Sequence, residues 1–262
     1  MSHQKLSDFI DQIQGQGRYT FKFEDLTSDR SHIATQAALR RLKQRHRIVS
    51  PHRGFFVVVR PEYRSLGSPP ANWFIDELMA HLKQPYYVAL LSAAALHGAA
   101  HQQPMIFQVM TDRPTRSIDL GSINISFHMT QDIENFPTKK MQTETGYIKV
   151  ATPETTAFDL VKYTAASGHL NNVATVLTEL EEKLDADQLV KTAPLYATPD
   201  VQRLGFILEN FSNNKALVAP LLEYYQKLRR RPVLLSPKMP SKEKSPDKNW
   251  CVVPNETIET DL

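Results

Sequence analysis

Three groups of residues in this 262-residue chain have types and spacings that could do chemistry. His97 and His101 lie four apart in HGAAH, the spacing at which one helix face offers two imidazoles to zinc. A metalloprotease helix needs a glutamate beside the first histidine; Gly98 stands there and weakens the helix. Packed or surface histidines are therefore the plainer reading. Gly121-Ser122 followed by Asp132 and Glu134 matches the spacing of a nucleotidyltransferase signature, whose paired carboxylates hold Mg²⁺ on a triphosphate. In that signature Gly-Ser opens a helix and the carboxylates sit on the next strand. Here INISFHM (123–129) alternates like a strand straight after Gly-Ser, and DIENFP reads as a loop, so the context does not fit. Glu154 and Asp159 read as capping and core-edge residues. No glycine-rich phosphate loop, Ser-His-Asp arrangement or Cys-His pair stands out, so the chain reads as non-enzymatic, with no cofactor.

The third group points to binding. Arg40, Arg41, Lys43, Arg45, Arg47 and Arg53, with His46 and His52, fall in a stretch (37–59) that contains no acidic residue. A one-signed strip of this kind implies a negatively charged partner. The net charge of +3 hides an asymmetry, because residues 30–64 hold nine Lys/Arg against one Asp/Glu while the remainder is mildly acidic. A small basic module joined to a larger body is the pattern of a nucleic-acid reader with a second function.

The flanking elements would position that strip. KLSDFIDQI places Leu6, Phe9, Ile10 and Ile13 on one helical face, and Gly15 and Gly17 stop it. RYTFKFEDL reads as a short strand leading into a brief helix around Glu24–Ser28. Ser31 is a natural N-cap for a third helix, HIATQAALRRLKQRHR, with Ala34, Ala38, Leu39 and Leu42 inward and Thr35, Gln36, Arg40, Lys43 and Arg47 outward. RIVSPHRGFFVVVRP then reads as strand, turn at Ser50–Gly54, strand. Three helices followed by a basic hairpin is the order of a winged helix-turn-helix. On such a module His32, Thr35, Gln36 and Arg40 would face bases. Arg41, Lys43, Arg45 and Arg47 would meet phosphates, and His52 and Arg53 would form the wing contact.

SLGSPP (65–70) reads as a linker, giving a DNA-binding domain over 1–64 and a second domain over 71–262. The fold class is α+β, with a small sheet and a mostly helical C-terminal half. NWFIDELMAHL and YYVALLSAAALHGAAH read as helices. MIFQVMT (105–111), INISFHM (123–129) and YIKVA (147–151) read as strands. Thr152-Pro153-Glu154 is a strong helix start, and further helices follow. Residues 232–248, rich in Pro and Lys, read as flexible, with Trp250 and Val252 docking as a short strand beyond them. One cysteine, Cys251, excludes an intramolecular disulfide, and no apolar run is long enough to span a membrane. The expected location is cytoplasmic.

YYVALLSAAALHGAAHQQPMIFQVMT, VATPETTAFDLVKY, LNNVATVLTEL, VQRLGFILE and NWCVVPNETIETDL together resemble the AbiEi-type antitoxin of the AbiE abortive-infection toxin–antitoxin systems. The resemblance implies an N-terminal winged helix that binds inverted repeats in the promoter of its own operon and represses it. It also implies a C-terminal domain that opposes a nucleotidyltransferase toxin in phage defence, with or without a stable complex. Two alternatives stay open. One is a ligand-responsive winged-helix repressor; the other is a nucleotidyltransferase using Asp132 and Glu134.

Overall fold

The computed structural model describes residues 6–26, 31–99, 104–212, 214–241 and 244–259. His101 lies outside them, as do Thr27 and Ser28 of the expected brief helix. The structure is a mixed α+β fold in two compact units that do not follow chain order. The first holds Met1–Tyr87, Met105–Ile133 and Lys140–Lys149; the second holds Val88–Pro104, Glu134–Lys139 and Val150–Leu262.

The first unit opens with helix α1 (Leu6–Gly15), which buries Ile10 and Ile13 as its 3.6-residue period requires. Strand β1 (Thr20–Lys22) follows, then a single 3-10 turn at Phe23–Asp25 where a brief helix was expected. Helix α2 (His32–Gln44) leads into strands β2 (Ile48–His52) and β3 (Phe55–Val58). These strands form a three-stranded antiparallel sheet in the order β1-β3-β2. Phe21 and Phe56 stack at 5.1 Å between ring centres, and Phe9 meets Phe21 edge-on at 5.6 Å. With Leu39, Leu42 and Ile48 they form one dry core, which fixes α2 against the sheet and leaves its opposite face in water.

SLGSPP is packed rather than a free linker: Ser68 and Pro69 are buried. Ser122 donates to the Leu66 carbonyl from both its backbone N–H (3.0 Å) and its hydroxyl (2.9 Å). A side chain at Gly121 would strike that same carbonyl, so glycine is required there. Helix α3 (Ile75–Leu82) follows. The segment beginning YYVALL, expected as helix throughout, starts as strand β4 (Tyr86–Val88) before helix α4 (Leu90–Leu96). Its β-branched and aromatic start favours the strand.

Strands β5 (Ile106–Thr111), β6 (Ile118–Leu120), β7 (Ile123–Met129), β8 (Thr138–Thr143) and β9 (Gly146–Ala151) complete a six-stranded sheet with β4, ordered β6-β7-β5-β4-β9-β8. β5 and β7 run parallel in continuous register from Ile106↔Asn124 to Thr111↔Met129.

The second unit is mainly helical. Thr152 caps helix α5 (Pro153–Lys162) by accepting from the Thr155 N–H at 3.3 Å, with Pro153 in the first turn, as its sequence predicts. Helices α6 (His169–Leu180), α7 (Ala186–Thr192), α8 (Thr198–Phe211) and α9 (Lys215–Gln226) follow. Part of the stretch expected to be flexible is tied down, because β10 (Val233–Leu234) pairs in parallel with β11 (Val252–Val253). Asp247 accepts from the N–H groups of Asn249, Trp250 and Val252 at 2.7–2.9 Å. Trp250, fully buried, stacks on Tyr225 and fills a notch that Gly205 leaves in α8; a Cβ there would lie 2.2 Å from the indole.

Candidate nucleic-acid interface

The first turn of α2 is set by Ser31, whose hydroxyl accepts from the Ala34 N–H at 3.3 Å. Its other end closes in a Schellman motif. His46 takes a left-handed φ of 51°, its N–H meets the Lys43 carbonyl at 2.9 Å, and the Arg47 N–H meets the Leu42 carbonyl at 3.0 Å. Arg41 and Lys43 occupy the last turn, where the helix dipole favours positive charge.

Between these ends the inward stripe is Thr35, Leu39 and Leu42. Thr35, expected outward, is only 6% exposed. Its hydroxyl lies 3.4 Å from the Ser31 carbonyl, and that local partner lets a polar residue face the core. Ala34, expected inward, is exposed and Ala38 is half-buried. Gln36, Arg40, Arg41, Lys43 and Arg45 stand in water. Arg47 is half-buried and its guanidinium meets Asp11 of α1 at 2.7 Å, so it braces one helix against another.

The hairpin turns at Arg53-Gly54, with Gly54 at φ 78°. The Ser50 hydroxyl donates to the carbonyls of His52 and Phe55, which holds the tip closed across an irregularity in β2. His32, Gln36, Arg40 and Lys43 of α2 and Ser50 and Arg53 of the hairpin line one open groove of about 620 Å³. Glu24 is the acidic residue on its wall. Lys43 crosses the face of Phe56 at 5.2 Å, covering the core with its stem while its charge remains outside. Arg41 and Arg45 do not line the groove.

Three features of this region were not read from the sequence. His81 of α3 approaches the Arg53 carbonyl at 3.2 Å and the His52 ring at 5.4 Å, so the hairpin tip rests on α3. Phe23 lies 4.9 Å from the His32 ring and supports it. Ile33 is 79% exposed on the first turn of α2. Only the exposed Ile33 carried a signal, as an apolar residue off the core stripe.

The other sequence candidates are not brought together. His97 is a core histidine, 8% exposed, with Nε2 at 2.7 Å from the Ala151 carbonyl; burial lowers its pKa. α4 ends at Leu96 and Gly98 follows at φ 83°, so no helix carries the expected spacing onward from His97. Gly121-Ser122 forms the turn between β6 and β7 rather than opening a helix, while Asp132 and Glu134 are exposed in a turn. Among the described residues no three His, Cys, Asp or Glu gather into a metal-binding group. None of the described helices is long and apolar enough to cross a membrane.

Residues 87–210 match the family model for the AbiEi antitoxin C-terminal domain. The chain carries an AbiEi-type antitoxin domain. That domain ties the chain to an antitoxin role in a toxin–antitoxin system and implies a toxin partner. No curated protein sequence matches the chain. The fold of this AbiEi-type chain is similar to the crystal structure of the RV2827C protein from Mycobacterium tuberculosis, with a TM-score of 0.69 and 16% identity. That similarity covers 98% of this chain and 91% of the other, so the likeness extends over both units.

Proposed function

We propose that this AbiEi-type antitoxin also reads DNA: residues 1–64 act as a winged helix-turn-helix that binds inverted repeats in the promoter of its own operon and represses it. Residues 71–262 oppose a cognate nucleotidyltransferase toxin in the cytoplasm, as a phage-defence antitoxin that is not itself an enzyme. One observation carries the DNA reading. The outer face of α2 and the hairpin tip frame a single groove, and Arg40, Lys43 and Arg53 meet there with Gln36.

The roles follow from chemistry. Gln36 can pair with adenine in bidentate fashion and Arg40 with guanine. Ile33, held out on the same face, suits the methyl group of thymine. Lys43 and Arg53 in the groove, with Arg41, Arg45 and His52 around it, meet phosphates, which position the protein without specifying sequence. Thr35 drops out of the base readers because it is buried, and Arg47 is committed to Asp11.

The test uses the full chain. Fluorescence anisotropy compares the DNA upstream of its own gene with a shuffled duplex, for the native protein and for a triple variant, Arg40→Ala, Lys43→Ala and Arg53→Ala. The native chain is expected to prefer its upstream DNA. The variant is expected to lose that binding while still rescuing growth when co-expressed with the toxin. Equal binding of both duplexes by the native chain, or native-like binding by the variant, would sink the DNA reading. Failure of the native chain to rescue would sink the antitoxin reading instead. Mg²⁺-dependent nucleotidyl transfer lost in Asp132→Ala would replace both with the enzyme.

A further inference from the structure

The second unit holds a cavity that none of these roles uses. It opens where α5 gives way to a 3-10 turn (Thr164–Ser167) and α6 begins, opposite the segment that follows β10. Its volume of about 340 Å³ is on the scale of a small-molecule site. Val161, Leu170 and Leu235 supply an apolar wall. Lys162, Arg203 and Lys238 supply three cations, and no carboxylate is among the lining residues.

Arg203 is the anchor of this cluster. Its Nε donates to the Leu234 carbonyl at 3.0 Å, which fixes the guanidinium against the segment leading into the cavity wall. Its nearest carboxylate is Asp200, behind it on α8, at a long 3.4 Å. Burial lowers the pKa of Arg203 and raises that of Asp200, so each is charged against its surroundings and each has a stake in further compensation. Lys162 stands at the rim, 5.3 Å and 5.6 Å from the ring centres of Tyr163 and Tyr196. Three cations set against one carboxylate leave a charge that a phosphate monoester, at about −1.5 to −2 near neutral pH, would balance. A bare anion would leave the apolar wall unfilled, and a neutral apolar molecule would leave the cations unmatched.

We infer that this cavity binds a small phosphomonoester, with its phosphate between Lys162, Arg203 and Lys238 and a compact body against Val161, Leu170 and Leu235. The inference does not depend on DNA binding, and it adds a ligand site to the antitoxin domain.

Isothermal titration calorimetry on the full chain tests it with three probes: adenosine monophosphate, adenosine and inorganic phosphate. Adenosine monophosphate is expected to bind, inorganic phosphate to bind more weakly, and adenosine to give no heat. Lys162→Gln and Lys238→Gln change exposed side chains, so the fold should survive, as an unchanged urea midpoint would verify. Each is expected to weaken the nucleotide about tenfold, the scale of one charge-assisted hydrogen bond. Absence of binding by both phosphate probes at millimolar concentration overturns the inference, as does binding that both variants leave unchanged. Adenosine binding as well as its monophosphate would mean an apolar pocket without anion preference. Inorganic phosphate binding as well as the nucleotide would mean an anion site without the apolar subsite. Either result overturns the assignment.

Discussion

The outer face of α2 and the clamp around Trp250 handle their key side chains in opposite ways. On α2, Gln36, Arg40 and Lys43 stand in water and rest on a core built by other residues, Leu39, Leu42 and Phe56. At the clamp, the groups that matter are themselves the core. The indole of Trp250 fills the Gly205 notch, and the Gln202 amide donates to the carbonyls of Arg231 at 2.9 Å and Trp250 at 2.8 Å. Exposed residues of the first kind can change without disturbing the fold, whereas buried residues of the second kind cannot. The difference separates a surface available for recognition from one committed to stability.

The sharpest way to break that contrast is at the clamp. Trp250→Ala should lower stability by about 3–5 kcal/mol, the usual range for losing a buried large aromatic, read as a shift in urea midpoint. Gly205→Ala should cost about 1–3 kcal/mol alone, because its methyl meets the indole, and far less in the Trp250→Ala background. Additive losses in the double variant would mean that the notch is not what holds the two residues together.

On the other side of the comparison, Gln36→Ala should leave the urea midpoint unchanged. It should cost roughly 1–3 kcal/mol in operator affinity and relax preference at one base pair. A drop in stability instead of affinity would place Gln36 with the core and dissolve the contrast.

The smallest effect is a pH dependence. Burial holds the pKa of His97 below its ordinary value of 6.5. The unfolded chain therefore takes up a proton near that value while the folded chain stays neutral until lower pH. Its contribution to stability is present above about 6.5 and is lost as pH falls toward the folded pKa. His97→Gln, which retains an N–H for the Ala151 carbonyl, should flatten the decline of the urea midpoint between pH 7 and 5. His128, also lowered by burial, keeps part of the slope. A slope identical to that of the native chain would show that His97 does not contribute.

What could be read from sequence followed local rules. The Ser31 and Thr152 caps and the Leu39/Leu42 stripe depend on residues within one or two turns, and the structure places them accordingly. INISFHM forms a strand over its full length because its alternation is itself a local signal. The misreadings required information from elsewhere. Thr35 looks like an outward polar residue until its hydroxyl finds the Ser31 carbonyl. SLGSPP has a linker's composition, but the turn at Gly121-Ser122 satisfies its backbone. Gly205 looks like a flaw in α8 until Trp250, 45 positions later, occupies its place. Of the expected interface, the charge was legible from composition, whereas the support that His81 gives the hairpin tip was not.

The interleaving of the two units carries a cost in time. The hairpin is complete at Val58, yet the last segment of its unit ends at Lys149. At about 5–20 residues per second of synthesis, roughly 5–18 s separate the two on the ribosome. The basic hairpin thus emerges well before the rest of its unit exists to receive it, and a nascent chain has to carry it unfinished past the first stretch of the second unit. The same arrangement bears on descent. A crossover between two genes anywhere from residue 64 to residue 71 would split the first unit rather than exchange a module, so a new reader would have to be inherited with its strands or evolve in place.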